Sequence, residues 1–220
     1  MTGKTCAEWL ERAKECHIAL EELVGSASFA GNDDARQGAL PVAISDATDF
    51  VAALLQLAAS DTWAPARALL RGLRERTGWV WAIHEDSKFA REATLESQRW
   101  EAGGQPPRAG FARAERIWMK HLETIGVLQP DASREKLAEE LYRSQASADH
   151  PTLFSAQQAL HAAIHPESSV AIYFGSEVAV FTAMLTSAVA QIAIERGNTG
   201  ELARHALELS AQVQSEFRQA

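Results

Sequence analysis

Apolar residues recur along most of this chain at spacings of three and four, the repeat of one face of an α-helix. Between Thr5 and Val24 the stripe is Trp9, Ala13, Cys16, Leu20 and Leu23 or Val24, and Gly25 marks its end. A polar, glycine-rich stretch over 25–40 follows, with Phe29 as an apolar anchor. Pro41 is placed to open a second helix that runs to about Ser60. The third periodic segment starts after Asp61 or Thr62, carries Pro65 in its first turn, and continues to about Glu101, where Ala-Gly-Gly-Gln-Pro-Pro stops it. A helix of that length predicts a kink near Gly78 or Asp86. Ala66, Leu69, Leu70, Leu73, Thr77, Val80, Trp81 and His84 share one of its faces, and Trp79 and Ile83 widen that face to about half the circumference. So wide an apolar face places this helix at the centre of the fold.

Five further segments follow. The fourth spans about Ala109 to Ile125 on Phe111, Ile117, Trp118, Leu122 and Ile125, and a short charged one covers 133–142. The sixth runs from Thr152 to Ile164 and stops at His165-Pro166, because the residue before a proline disfavours helix. The seventh, Val170 to Arg196, ends at Gly197, and Thr199 is placed to cap the eighth, which reaches about Phe217. No segment alternates as a strand would. The expectation is an all-α protein: one helical domain over 1–220, an irregular multi-helix bundle around two long apolar central helices near 62–100 and 170–196.

Composition supports that reading, with 41 alanines against 13 glycines and 7 prolines. Charge narrows the function. Twenty-one basic residues against 29 acidic ones, a net charge of −8, lack the broad basic surface that neutralises phosphates, so nucleic acid is not an expected partner. Val178 to Ile194 contains no charged residue, yet it holds Thr182, Thr186, Ser187 and Gln191 and is bracketed by Glu177 and Glu195. It falls short of the roughly 20 apolar residues a span needs, so a buried core helix is expected and no membrane. Cys6 and Cys16 lie ten residues apart on one helix, about 15 Å at 1.5 Å per residue, too far for a disulfide. With no apolar leader at the start, a reducing cytoplasm is the expected location. The exposed tryptophans and wide apolar faces are compatible with a homodimer.

Candidate chemistry is sparse. Arg71 and Glu75, four apart, lie opposite the Leu73–His84 stripe and form either a structural or solvated ion pair or, if that face of a central helix meets another helix, a buried polar link. His84 stands in mid-stripe, where a histidine is either satisfied within the core or poised to bind a ligand or move a proton. His161 and His165 share one side of a helix at a spacing that suits metal ligation, with Glu167, Glu177 or His84 as further ligands. Ala162, where a zincin needs Glu, excludes a metalloprotease. The plainer reading has His165 at the helix C-terminus and His161 at the rim of the core. Glu177 is the only acid between Val170 and Ile194 and needs a partner if buried, with Arg71, His161 or His165 as candidates. Arg67, Arg71, Arg74 and Arg76 form either an anion grip or a paired, solvated face. No phosphate loop, dinucleotide fingerprint or nucleophile elbow is present, so no cofactor is expected. Arg12 to His17 and Arg116 to His121 fit the Arg-x4–6-His spacing of HEPN-type ribonucleases, a spacing that chance also supplies, but Ala13 and Ile117 stand where a polar residue commonly follows the arginine.

Leu69-Leu70-Arg71-Gly72-Leu73-Arg74-Glu75 and the stretch from Leu160 to Pro166 resemble a family of uncharacterised bacterial helical proteins. Those proteins pair a Leu-Arg-x-x-x-Glu helix with a later helix ending in a His-Pro corner, and some are regarded as distant relatives of the HEPN bundles. The resemblance covers about residues 62–196 and implies an all-α fold with Arg71, Glu75, His165 and Pro166 in a shared polar cluster. The leading expectation is a cytoplasmic module that binds an unknown protein or small ligand. The alternatives are a HEPN-like ribonuclease of a toxin or phage-defence system, with Arg and His acting at the 2′-hydroxyl, and a metal-binding protein using His161, His165 and Glu177.

Overall fold

A computed structural model of the chain describes residues 4–27, 29, 34–104, 110–124, 153–197 and 200–219. Among these residues there are eight helices and no strand: α1 (Cys6–Ser26), α2 (Asp34–Ala59), α3 (Trp63–Glu85), α4 (Ser87–Glu101), α5 (Phe111–Thr124), α6 (Leu153–Ile164), α7 (Ser169–Glu195) and α8 (Glu201–Gln219). The all-α bundle expected from the periodicity is the fold observed. The expected short helix over 133–142 and the Thr199 cap lie outside the described residues.

Local chemistry sets the helix ends. Thr5 and Glu8 form a reciprocal cap on α1, the Glu8 amide donating to Thr5 Oγ1 (3.2 Å) and the Thr5 amide to Glu8 Oε2 (2.6 Å). Ser168 Oγ accepts from the Ala171 amide and starts α7. Gly197, at φ +87°, ends it in a conformation that favours glycine.

Two boundaries differ from the sequence expectation. The segment from 62 to 101 is two helices, not one kinked helix. Asp86 leaves the helical conformation and accepts at Oδ1 from the amides of Lys88 (2.9 Å) and Phe89 (3.0 Å), which caps α4. Pro41 does not open α2, which begins at Asp34 and carries the proline inside. The buried stripe Leu40, Ile44, Ala47, Val51, Leu54 and Ala58 starts before Pro41, and its burial offsets the missing amide.

Helix α7 is the axis of the bundle, packed against α1, α8 and α3. Its fully buried side chains, Leu185, Val189 and Ile192 among them, meet Trp9, Leu20 and Leu23 of α1 and Leu73 and Val80 of α3 in one continuous core. Helices α1, α3 and α7 run parallel. Cys6 abuts Gly175 near the starts of α1 and α7, and further along Thr186 Oγ1 donates to the Cys16 carbonyl (3.2 Å). Trp63 meets Phe174 at the starts of α3 and α7 (ring centroids 5.7 Å), and His84 meets Glu195 at their ends. Helix α8 returns antiparallel to α1: Glu216, near its end, pairs with Arg12 (3.0 Å) and Lys4 (3.5 Å).

Both cysteines are free and buried, and burial pushes the Cys6 thiol up to about 11 and the Cys16 thiol to about 12. Two helical stretches, Gly38–Ala59 and Ser169–Glu195, are long and apolar enough to cross a membrane by length and composition. In the more apolar stretch of Ser169–Glu195, 72% of the residues are buried inside the bundle, against 39% in Gly38–Ala59.

Candidate functional site

The parallel course of α3 and α7 brings His84, in the last turn of α3, beside Glu195, the final residue of α7. His84 Nε2 and Glu195 Oε2 are 2.7 Å apart. Gln191, one turn back on α7, donates from Nε2 to the other carboxylate oxygen at 2.8 Å. Both oxygens are therefore held, and the carboxylate is fixed in orientation. Nδ1 of His84 is buried and has no hydrogen-bond partner among the described residues.

Helix α5 crosses α3 near Gly78, and Arg74 pairs with Glu115 at the crossing. This places the His121 ring 3.7 Å from that of Trp81 and 5.4 Å from that of Trp118, at interplanar angles of 30° and 27°. Trp81 also contacts His84 edge-on at 5.5 Å. One tryptophan thus carries both histidines. Among the described residues no group bonds to the His121 ring nitrogens, which are not buried.

Between α5, α7 and α8 a cleft of about 330 Å³ remains, at the lower end of the range for small-ligand pockets. Trp118 and Met184 supply apolar wall, and His121, Gln191, Glu195 and Gln214 supply polar groups. Burial opposes charge on Glu195, but the bonds from Gln191 and His84 and the nearby histidines outweigh it and hold the carboxyl below its usual range. His121 shifts in the same direction, which for a base favours the uncharged form. Burial outweighs the pull of Glu195 and Glu85 and keeps its pKa below the ordinary histidine value. Near neutrality the cleft therefore presents a fixed carboxylate and a neutral imidazole with acceptor capacity.

Of the ligand-site candidates named from the sequence, His84 enters this cluster, and His121 joins it as the histidine of the second ribonuclease-like pair. Arg71 and Glu75 form their expected pair, Nε to Oε1 at 3.0 Å, but both side chains are substantially exposed, so the link is not buried. His161 and His165 lie together on exposed surface with ring centroids 4.7 Å apart, and the His165 amide closes the last turn on the His161 carbonyl. Glu177 is buried on α7. Among the described residues no three His, Cys, Asp or Glu side chains converge as a metal ion requires, so His161, His165 and Glu177 are not assembled as a ligand set. The arginine cluster is paired with the chain itself: Arg67 lies over the Phe174 ring (4.4 Å), Arg71 meets Glu75, Arg74 meets Glu115 and Arg76 meets Asp46 (2.8 Å). Of the ribonuclease-like pairs, Arg12 is engaged by Glu15 and Glu216 while His17 is buried, and Arg116 is exposed while His121 enters the cleft.

Sequence reading missed Glu195, Gln191 and the role of His121. The available signals were weak ones: His121 stands three residues after Trp118 on the apolar stripe of α5, and Glu195 is the first charge after the long apolar run of α7. No known protein family, curated protein or solved structure matches the chain.

Proposed function

We propose that this chain is a small-ligand-binding helical module whose site is the cleft between α5, α7 and α8. Its ligand is a small organic cation with N–H donors. The observation that carries this reading is the Glu195 carboxylate, fixed by His84 and Gln191 at the wall of a cleft that also offers a neutral imidazole. A charged acceptor, an uncharged acceptor and the apolar surface of Trp118 and Met184 suit an amine or amidine. A carboxylate or phosphate would meet Glu195 with no cation among the cleft's described lining groups. The bundle is read as soluble, with α7 as its core helix.

Benzamidine and benzoate, matched in shape and opposite in charge, provide the test by calorimetry. Benzamidine is expected to bind and benzoate not to. Glu195→Gln, which keeps the hydrogen-bonding shape but removes the charge, should weaken benzamidine by roughly tenfold or more, as loss of a charge-assisted bond predicts. Equal binding of the two probes, or an unchanged affinity in the variant, would overturn the reading.

A further inference from the structure

A second concavity, independent of the first, lies between α2, α3 and α4. It holds about 700 Å³, well inside the range of small-molecule pockets. Its walls are mainly apolar: Val42 and Ala43 on α2, Trp79 and Ile83 on α3, and Ala93 on α4. The hollow exists because small residues stand where leucines would fill it. Gly38 lines one end, and a Cβ built there meets nothing within 4 Å. Val42 is 69% exposed, the most exposed large apolar side chain among the described residues.

Among the described lining residues, the rim carries one cation and two anions. Arg76 is held at three points: Nε donates to Asp46 Oδ2 (2.8 Å), one terminal nitrogen donates to the Gly72 carbonyl (3.3 Å), and the guanidinium lies over the Phe50 ring at 3.8 Å. Phe50 is itself pressed on Gly72, where a Cβ would come within 2.6 Å of the ring. Arg76 and Asp46 therefore balance each other in a fixed position. Glu101, exposed at the rim, is the surplus charge. An apolar trough with a net negative rim is complementary to an amphiphile with a cationic head.

We propose that this groove binds a single-chain amphiphile with a cationic head group. Its apolar body lies along Val42, Ala43 and Trp79, and its ammonium is directed to Glu101 and the outer oxygen of Asp46.

The test uses the neutral fluorophore 1-N-phenylnaphthylamine as reporter and dodecylammonium or dodecanoate as competitor, below micellar concentration, on the full chain. Dodecylammonium should displace the reporter at a concentration roughly tenfold lower than dodecanoate. Gly38→Phe and Ala93→Phe plug the groove from different helices, and each should reduce reporter affinity by a similar factor with unfolding unchanged. Glu101→Lys, at an exposed position, should reverse the order of the two competitors, and Glu195→Gln should leave it as it is. Undiminished reporter binding in whichever plugged variant folds would overturn the groove. Equal competition by the two amphiphiles, or an order that Glu101→Lys leaves unmoved, would overturn the assignment of its head group.

Discussion

Single positions separate packing from propensity. Gly175 sits where α7 crosses α1, and a Cβ there would lie 2.9 Å from Cys6 Sγ and 3.0 Å from the Cys6 carbonyl. Backbone cannot yield as a side-chain tip can, so Gly175→Ala should destabilise by about 1–3 kcal/mol, the usual range for overpacking. Gly25, also helical, has nothing within 4 Å of its Cβ position, so Gly25→Ala should stabilise by about 0.4–1 kcal/mol. Urea unfolding of the two variants checks both signs in one experiment. The same contrast shows what a sequence withholds. The sequence marks Gly25 as a helix end and Gly175 as mid-helix, yet both are helical, and it is the neighbour across the helix crossing that sets their opposite signs. His84 could be singled out because a polar residue in an apolar stripe asks for a partner. Its partner Glu195, 111 residues away, could not.

Elements were legible where burial and capping agree. The stripe of α1 is buried as its spacing predicts, and His165-Pro166 and Gly197 end their helices where expected. Legibility failed where a side chain overrides a pattern. The apolar period runs on past Asp86 without interruption, yet Asp86 separates α3 from α4 by capping, and it also takes Arg113 of α5 on its other oxygen. Asp86→Ala removes the cap of α4 and its tie to α5 together. A loss of about 1–2 kcal/mol in unfolding free energy is expected, the range of a lost N-cap, and Asp86→Asn should recover part of it because an amide oxygen still caps. The His161–His165 pair illustrates the opposite case. The two rings do lie together on one helix side, but that side is exposed and meets no third ligand among the described residues.

At the scale of the molecule, the candidate cleft couples stability to pH. His121 and Glu195 both have pKa values lowered by folding, so the unfolded chain binds more protons than the native one in each window. For His121 the contribution is complete above its ordinary value near 6.5 and is lost as pH falls through its lower native value. For Glu195 the loss sets in below the ordinary carboxylate value near 4.5. Thermal unfolding should therefore shift to lower temperature between pH 7.5 and 5.5, and His121→Phe, which keeps a ring against Trp81, should flatten that slope. An unchanged slope would remove His121 from the account.

The parallel course of α1, α3 and α7 governs how the backbone fields of the bundle combine. Their carboxyl-terminal ends lie at one end of the molecule, each equivalent to roughly half a negative charge. At that same end α4 follows α3, α8 follows α7, and α2, antiparallel to α3, has its start, so three amino-terminal ends carry the opposite partial charge there. The opposed dipoles largely offset one another. An amine approaching the cleft is therefore drawn by the Glu195 side chain and not by the backbone, over a range of about 8 Å at physiological ionic strength.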